Sequence, residues 1–125
     1  MAADFAATFA ALKDVFAYHT DHLATKTNTP TDYTLVSKAL SPFKQHKGHP
    51  MEFGAVKLGK AYVSFHLMPL YMSPPLFALI TPALKKHMQG KTCFNFKAVP
   101  ETDLVADLTR LTEAAFMQWQ ARNWI

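Results

Sequence analysis

The stretch Ala61-Tyr62-Val63-Ser64-Phe65-His66-Leu67-Met68 alternates without a break, and its alternation decides how the chain is read. Side chains along a β-strand point to opposite sides in turn, so the stretch divides into two sets. Ala61, Val63, Phe65 and Leu67 make an apolar side, and Tyr62, Ser64, His66 and Met68 make the other. The segment Thr92 to Lys97 repeats the pattern: Phe94 and Phe96 alternate with Cys93, Asn95 and Lys97. Burying both apolar sets against helices brings Ser64, His66, Cys93, Asn95 and Lys97 to a shared opposite face. The fold implied is α+β, with a small antiparallel sheet that covers one face and leaves functional groups on the other.

Around these strands, spacing and punctuation supply the remaining elements. Phe5, Phe9, Leu12, Phe16, His19 and Leu23 recur every three or four residues and predict an amphipathic first helix ending near Ala24. Thr25 to Asp32 is polar, contains Asn28 and Pro30, and reads as a loop, and Tyr33 to Leu40 then has strand composition. Ser41 to Pro50, with two prolines and Gly48, reads as a surface loop. Met51 to Leu58, a Gly59-Lys60 turn and Ala61 to Leu67 make a hairpin. Ser73-Pro74-Pro75 opens a short helix through Ile80. Thr81-Pro82 caps a second one to Gln89, and Gly90 stands where a left-handed residue is expected. Leu104, Leu108, Leu111, Ala115 and Trp119 stripe a last helix begun by Thr102 or Asp103. The order is α-β-β-β-α-β-α: a two-layer sandwich with about four to five strands and its helices on one face.

Composition bounds the function. The 125 residues fit one domain, 1–125, and 50% hydrophobic residues with ten Phe can fill a core. Cys93 is the only cysteine, so neither an intrachain disulfide nor an all-cysteine metal cage can form. An unpaired thiol and a first stretch with no basic residue before its apolar run fit a cytoplasmic protein. The most apolar later window, Ala61 to Ile80, contains Pro69, Pro74, Pro75 and His66, so no membrane partner is expected. Charge is unevenly spread: residues 1–32 carry a net −2, residues 33–97 a net +8, and residues 98–125 a net −2. The basic middle block would attract anions, whether small ligands, an acidic protein or nucleic acid, unless it is simply a solvated lysine surface. Only two Arg occur, and no nucleic-acid motif accompanies them, so base reading is not expected.

Two runs carry a resemblance. Tyr62-Val63-Ser64-Phe65-His66-Leu67-Met68-Pro69-Leu70-Tyr71, together with Gln89-Gly90-Lys91-Thr92-Cys93-Phe94-Asn95-Phe96-Lys97, resembles the YdhG-like family of bacterial domains of unknown function. The likeness runs from the hairpin through the last helix. It implies a compact α/β sandwich similar to frataxin, for which an iron-handling role is one implied function, and it brings no catalytic set. A frataxin-like metal surface needs clustered carboxylates, whereas the first helix offers Asp4, Asp14 and Asp21.

The leading expectation is a non-enzymatic binding module for a small anionic ligand, with no cofactor, no resident metal and no catalytic residues. Its ligand-binding residues are Tyr62, Ser64, His66, Tyr71, Lys91, Cys93, Asn95 and Lys97. Lys85, Lys86 and Lys91 suit the negative end of the second short helix, and with Lys97 they could hold a phosphate or carboxylate. The alternatives are a solvated sheet face, an enzyme with Cys93 as nucleophile and His66 as base, and a homodimer interface. Two histidine pairs, His19 with His22 and His46 with His49, have chelating spacing. His19, however, lies on the apolar stripe, and lysines flank the second pair. Met68, Tyr71, Met72 and Phe77 form an apolar segment suited to core filling or to an exposed rim.

Overall fold

A computed structural model describes residues 5–40, 50–72, 74–90 and 92–122. The expected loop Ser41 to Pro50 lies outside the described residues except for Pro50, and so do His46, His49 and Lys91.

Helix α1 spans Phe5–Asp14 and is followed by a 3-10 turn, Ala17–His22. The strands are β1 (Leu23–Asn28), β2 (Asp32–Leu40), β3 (Pro50–Leu58) and β4 (Val63–Leu67). Then come α2 (Pro69–Met72), a second 3-10 turn (Pro74–Leu79), α3 (Pro82–Lys85) and the two-residue strand β5 (Met88–Gln89). Strand β6 (Cys93–Phe96) and helix α4 (Thr102–Ala121) complete the chain. The architecture is α+β, and the described strands form one sheet in the order β1-β2-β3-β4-β6-β5, with every pairing antiparallel.

Three expectations about elements are corrected. The first helix does not run to Ala24: the hydrogen bonds Val15 N to Leu12 O and Phe16 N to Lys13 O tighten the chain into a three-residue repeat after Asp14. The segment read as a loop holds most of β1, whose first two residues, Leu23 and Ala24, fall in the expected helix. As an edge strand β1 buries only Leu23, so it has no apolar alternation to betray it; β-branched Thr25 and Thr27 are its residual signal. The second helix stops at Lys85 rather than Gln89, and Met88 and Gln89 pair with β6 instead. Thr81 does cap that helix, accepting from Leu84 N at 3.2 Å. Gly90 is left-handed as expected, with φ +74°, but it closes the β5–β6 turn rather than a helix. The sheet therefore has six strands where four or five were anticipated.

One face of the sheet carries the core. Val63, Phe65 and Leu67 of β4 and Phe94 and Phe96 of β6 are buried, as their alternation requires. Phe16 stacks on Phe65 with ring centres 4.8 Å apart, and Phe53 meets the fully buried Trp119 edge-on at 5.5 Å. These contacts dock both ends of the helical layer onto β3 and β4. Burying each such side chain stabilises the fold by about 1.5–3 kcal/mol. His19 belongs to this core: it is buried and stacked on Phe116 at 4.5 Å, and burial lowers its pKa. Of the apolar segment after β4, Leu70 and Leu76 fill the core while Tyr71, Phe77 and Leu79 stay exposed.

Strand β3 is bulged. Leu35 pairs with Gly54 and Val36 with Glu52, leaving Phe53 as the extra residue, turned toward Phe16, Phe116 and Trp119. Beside it, a Cβ on Gly54 would stand 2.5 Å from Phe16 Cζ and 3.0 Å from the His66 carbonyl oxygen. The Phe16 ring is held by its stack on Phe65 and cannot swing away. Gly54→Ala is therefore expected to lower unfolding stability by about 1–3 kcal/mol. A urea titration measures it, and an unchanged midpoint would show that the Phe16 ring is not seated on this glycine.

Candidate functional site

The sheet face turned away from the helices is set by register. His66 pairs with Ala55 and Cys93, and Ser64 pairs with Lys57 and Asn95. Residues directly opposed across antiparallel strands share a face, so Ser64, His66, Cys93 and Asn95 lie together, all half-buried. Gln89 joins them because it pairs with Cys93.

The side chains are linked. Cys93 Sγ donates to Asn95 Oδ1 at 3.3 Å and stands 4.0 Å from His66 Nε2. Asn95 in turn donates through Nδ2 to Gln89 Oε1 in a short hydrogen bond. Burial pushes the Cys93 thiol above its usual pKa, and a hydrogen bond with Ser64 opposes that push. Burial pushes the His66 imidazole below its ordinary value; Lys57 adds to the effect, while Glu52 and Asp32 oppose it. Both shifts favour the uncharged pair, a neutral thiol beside a neutral imidazole. A cysteine nucleophile needs the opposite arrangement, thiolate beside imidazolium.

Charge on this face is mixed. Lys57 stands opposite Asp32 in the β2–β3 register, so the cation nearest His66 is matched by carboxylates. Lys86 and Lys97 lie toward the β5 edge of the sheet. There a groove of about 620 Å³ is lined by Tyr62, Lys86, His87, Gln89, Asn95 and Lys97, with Ala61 and Met88. No described residue lining it is acidic. His87 is held in place by Nδ1 at 3.1 Å from the Asn95 carbonyl oxygen and by stacking on Phe96 at 4.6 Å.

The residues anticipated as ligand-binding thus fall into groups. Ser64, His66 and Cys93 form one cluster on the open face, Tyr62 and Lys97 line the groove, and Asn95 belongs to both. Tyr71 is not on that face: it stands on α2, 67% exposed, in a turn packed with α4 and the second 3-10 turn. Lys91 lies outside the described residues. His87 and Gln89 were missed because Pro82 to Gln89 read as helix, which hides strand alternation; read as a strand, Met88-Gln89 would have put Gln89 beside Cys93. His19 and His22 both lie against Phe116, and no group of three potential metal ligands occurs among the described residues. No helix among the described residues is long and apolar enough to cross a membrane.

Comparison with known protein families, curated proteins and solved structures finds no match to this chain.

The electrostatics of Cys93 give a direct expectation. With its pKa raised, the thiol exposes less thiolate at neutral pH than free cysteine does. Its rate of alkylation by iodoacetamide should be slower than that of free cysteine at pH 7, with a midpoint displaced to higher pH. Faster alkylation at pH 7 would mean an activated thiolate and would revive the Cys93–His66 enzyme.

Proposed function

We propose that the protein is a two-layer α+β sandwich acting as a non-enzymatic binding module for a small anionic ligand. The ligand occupies the groove between Tyr62 and the β5–β6 edge. The observation that carries this reading is the acid-free lining in which Lys86 and Lys97 meet Tyr62, Asn95 and Gln89. Each component has a recognisable role. Two ammonium groups attract a phosphate or carboxylate from solution. The amides of Asn95 and Gln89 provide directed hydrogen bonds, and the Tyr62 ring provides a flat wall. The basic middle block gives these cations a positive setting.

Affiliation with the YdhG-like domains is part of the proposal and rests on the two sequence runs. The iron role implied by that likeness lacks similar support. Asp14 ends α1 and Asp21 lies in the 3-10 turn, so the carboxylates do not share a helix face.

Pyrophosphate is a suitable probe, because its charge demands the lysines. Calorimetric titration should show one site per chain, weakened at least about tenfold when Lys86 and Lys97 are both replaced by Ala, and weakened by added salt. Equal binding by the double variant, or no saturable site in the wild-type protein, would reject the groove as an anion site.

A further inference from the structure

Cys93 and His66 are placed as a pair of soft donor atoms with a gap between them. They are directly opposed on β6 and β4, so the sheet backbone fixes both Cα positions. Their functional atoms, Sγ and Nε2, are 4.0 Å apart, at the outer limit for a hydrogen bond that involves sulfur. That spacing suits an ion held between them. With zinc's bond lengths as a guide, about 2.3 Å to sulfur and about 2.0 Å to nitrogen, it corresponds to an angle at the metal of about 135°. A tetrahedral centre would draw the two atoms closer, and a linear one would spread them further.

The number of donors narrows the ion. No group of three His, Cys, Asp or Glu side chains gathers among the described residues, so the site offers two protein ligands. Zinc in a structural site takes four, and calcium and magnesium want oxygen. Ions satisfied by two or three soft ligands are monovalent d10 metals, and thiolate with imidazole selects Cu(I) among them. The surroundings suit the bound state. The Ser64 hydroxyl lies within hydrogen-bond reach of the sulfur and can donate to a thiolate.

We propose that Cys93 and His66 form a two-donor site for a soft monovalent metal ion of the Cu(I) class. On binding, the thiol S–H bond breaks and its proton goes to solvent, while a sulfur–metal bond forms. His66 Nε2 donates its lone pair from the tautomer protonated at Nδ1. The ion keeps its oxidation state, and thiolate and monovalent cation together are neutral, which suits a half-buried position. This site does not use Lys86 or Lys97 and stands or falls separately from the anion groove.

The test is anaerobic titration of the protein with Cu(I) in competition with a colorimetric Cu(I) chelator. One ion per chain is expected, lost in Cys93→Ser and weakened at least about tenfold in His66→Gln. Cu(I) binding as tight in His66→Gln as in the wild type would show capture by the thiol alone and overturn the proposal. One ion per two chains would overturn it as well, since it would signal a dithiolate between copies. Nitrogen-15 NMR of the wild-type histidines with added Ag(I) needs no variant. A shift at His66 Nε2 is expected, and an unmoved resonance at saturating Ag(I) refutes the site.

Discussion

The seating of the Phe16 ring over Gly54 is the constraint on which the rest of the structure depends. A planar ring can lie this close to a strand only where the strand has no side chain, and it then stacks on Phe65 of the neighbouring strand. The bulge at Phe53 supplies the space on the other flank and sends a second ring to Phe116 and Trp119. One short segment of β3 thereby receives both α1 and α4. Because side chains alternate strictly, this seating also fixes what the opposite face presents. Gly54 faces the helices, so Ala55 faces away, and with it His66 and, across β4, Cys93.

Two chemically different regions result on the uncovered side. Near the sheet centre, half-burial keeps Cys93 and His66 uncharged, and carboxylates offset the nearby Lys57. Toward the β5 edge, Lys86 and Lys97 lie beside Tyr62 with no acid along the groove. Asn95 is the hinge between the two, accepting from the Cys93 thiol while lining the groove. Hydrogen bonds along Cys93, Asn95 and Gln89 give the face an ordered set of donors and acceptors rather than independent solvated side chains.

The central strands were legible in the sequence because they are buried on one side. Val63, Phe65 and Leu67 against Ser64 and His66 is a pattern only a half-buried strand needs, and Phe94 with Phe96 repeats it. The edges were not legible, for the complementary reason. Strand β1 buries one leucine and reads as a polar loop, and β5 has two residues, too few for any period. The same blindness reached the site. Ser64, His66, Cys93 and Asn95 could be grouped from alternation alone, whereas Gln89 of β5 and His87 just before it could not, because both fall in an apparent helix. Tyr71, expected as an aromatic wall of the set, is carried away onto α2 by the turn after β4. The division of charge was invisible too, since the pairing of Lys57 with Asp32 depends on the β2–β3 register.

On the reading proposed above, an anion binds in the β5–β6 edge groove and not over the lysine-bearing surface at large. Amide chemical-shift mapping with pyrophosphate tests it most directly, because it reports position as well as affinity. A contiguous set of saturating shifts is expected at Tyr62, Lys86, Gln89, Asn95 and Lys97, with β1 and the exposed side of α4 unmoved. Small, non-saturating shifts scattered over Lys26, Lys38, Lys57 and Lys60 as much as over the groove would contradict it.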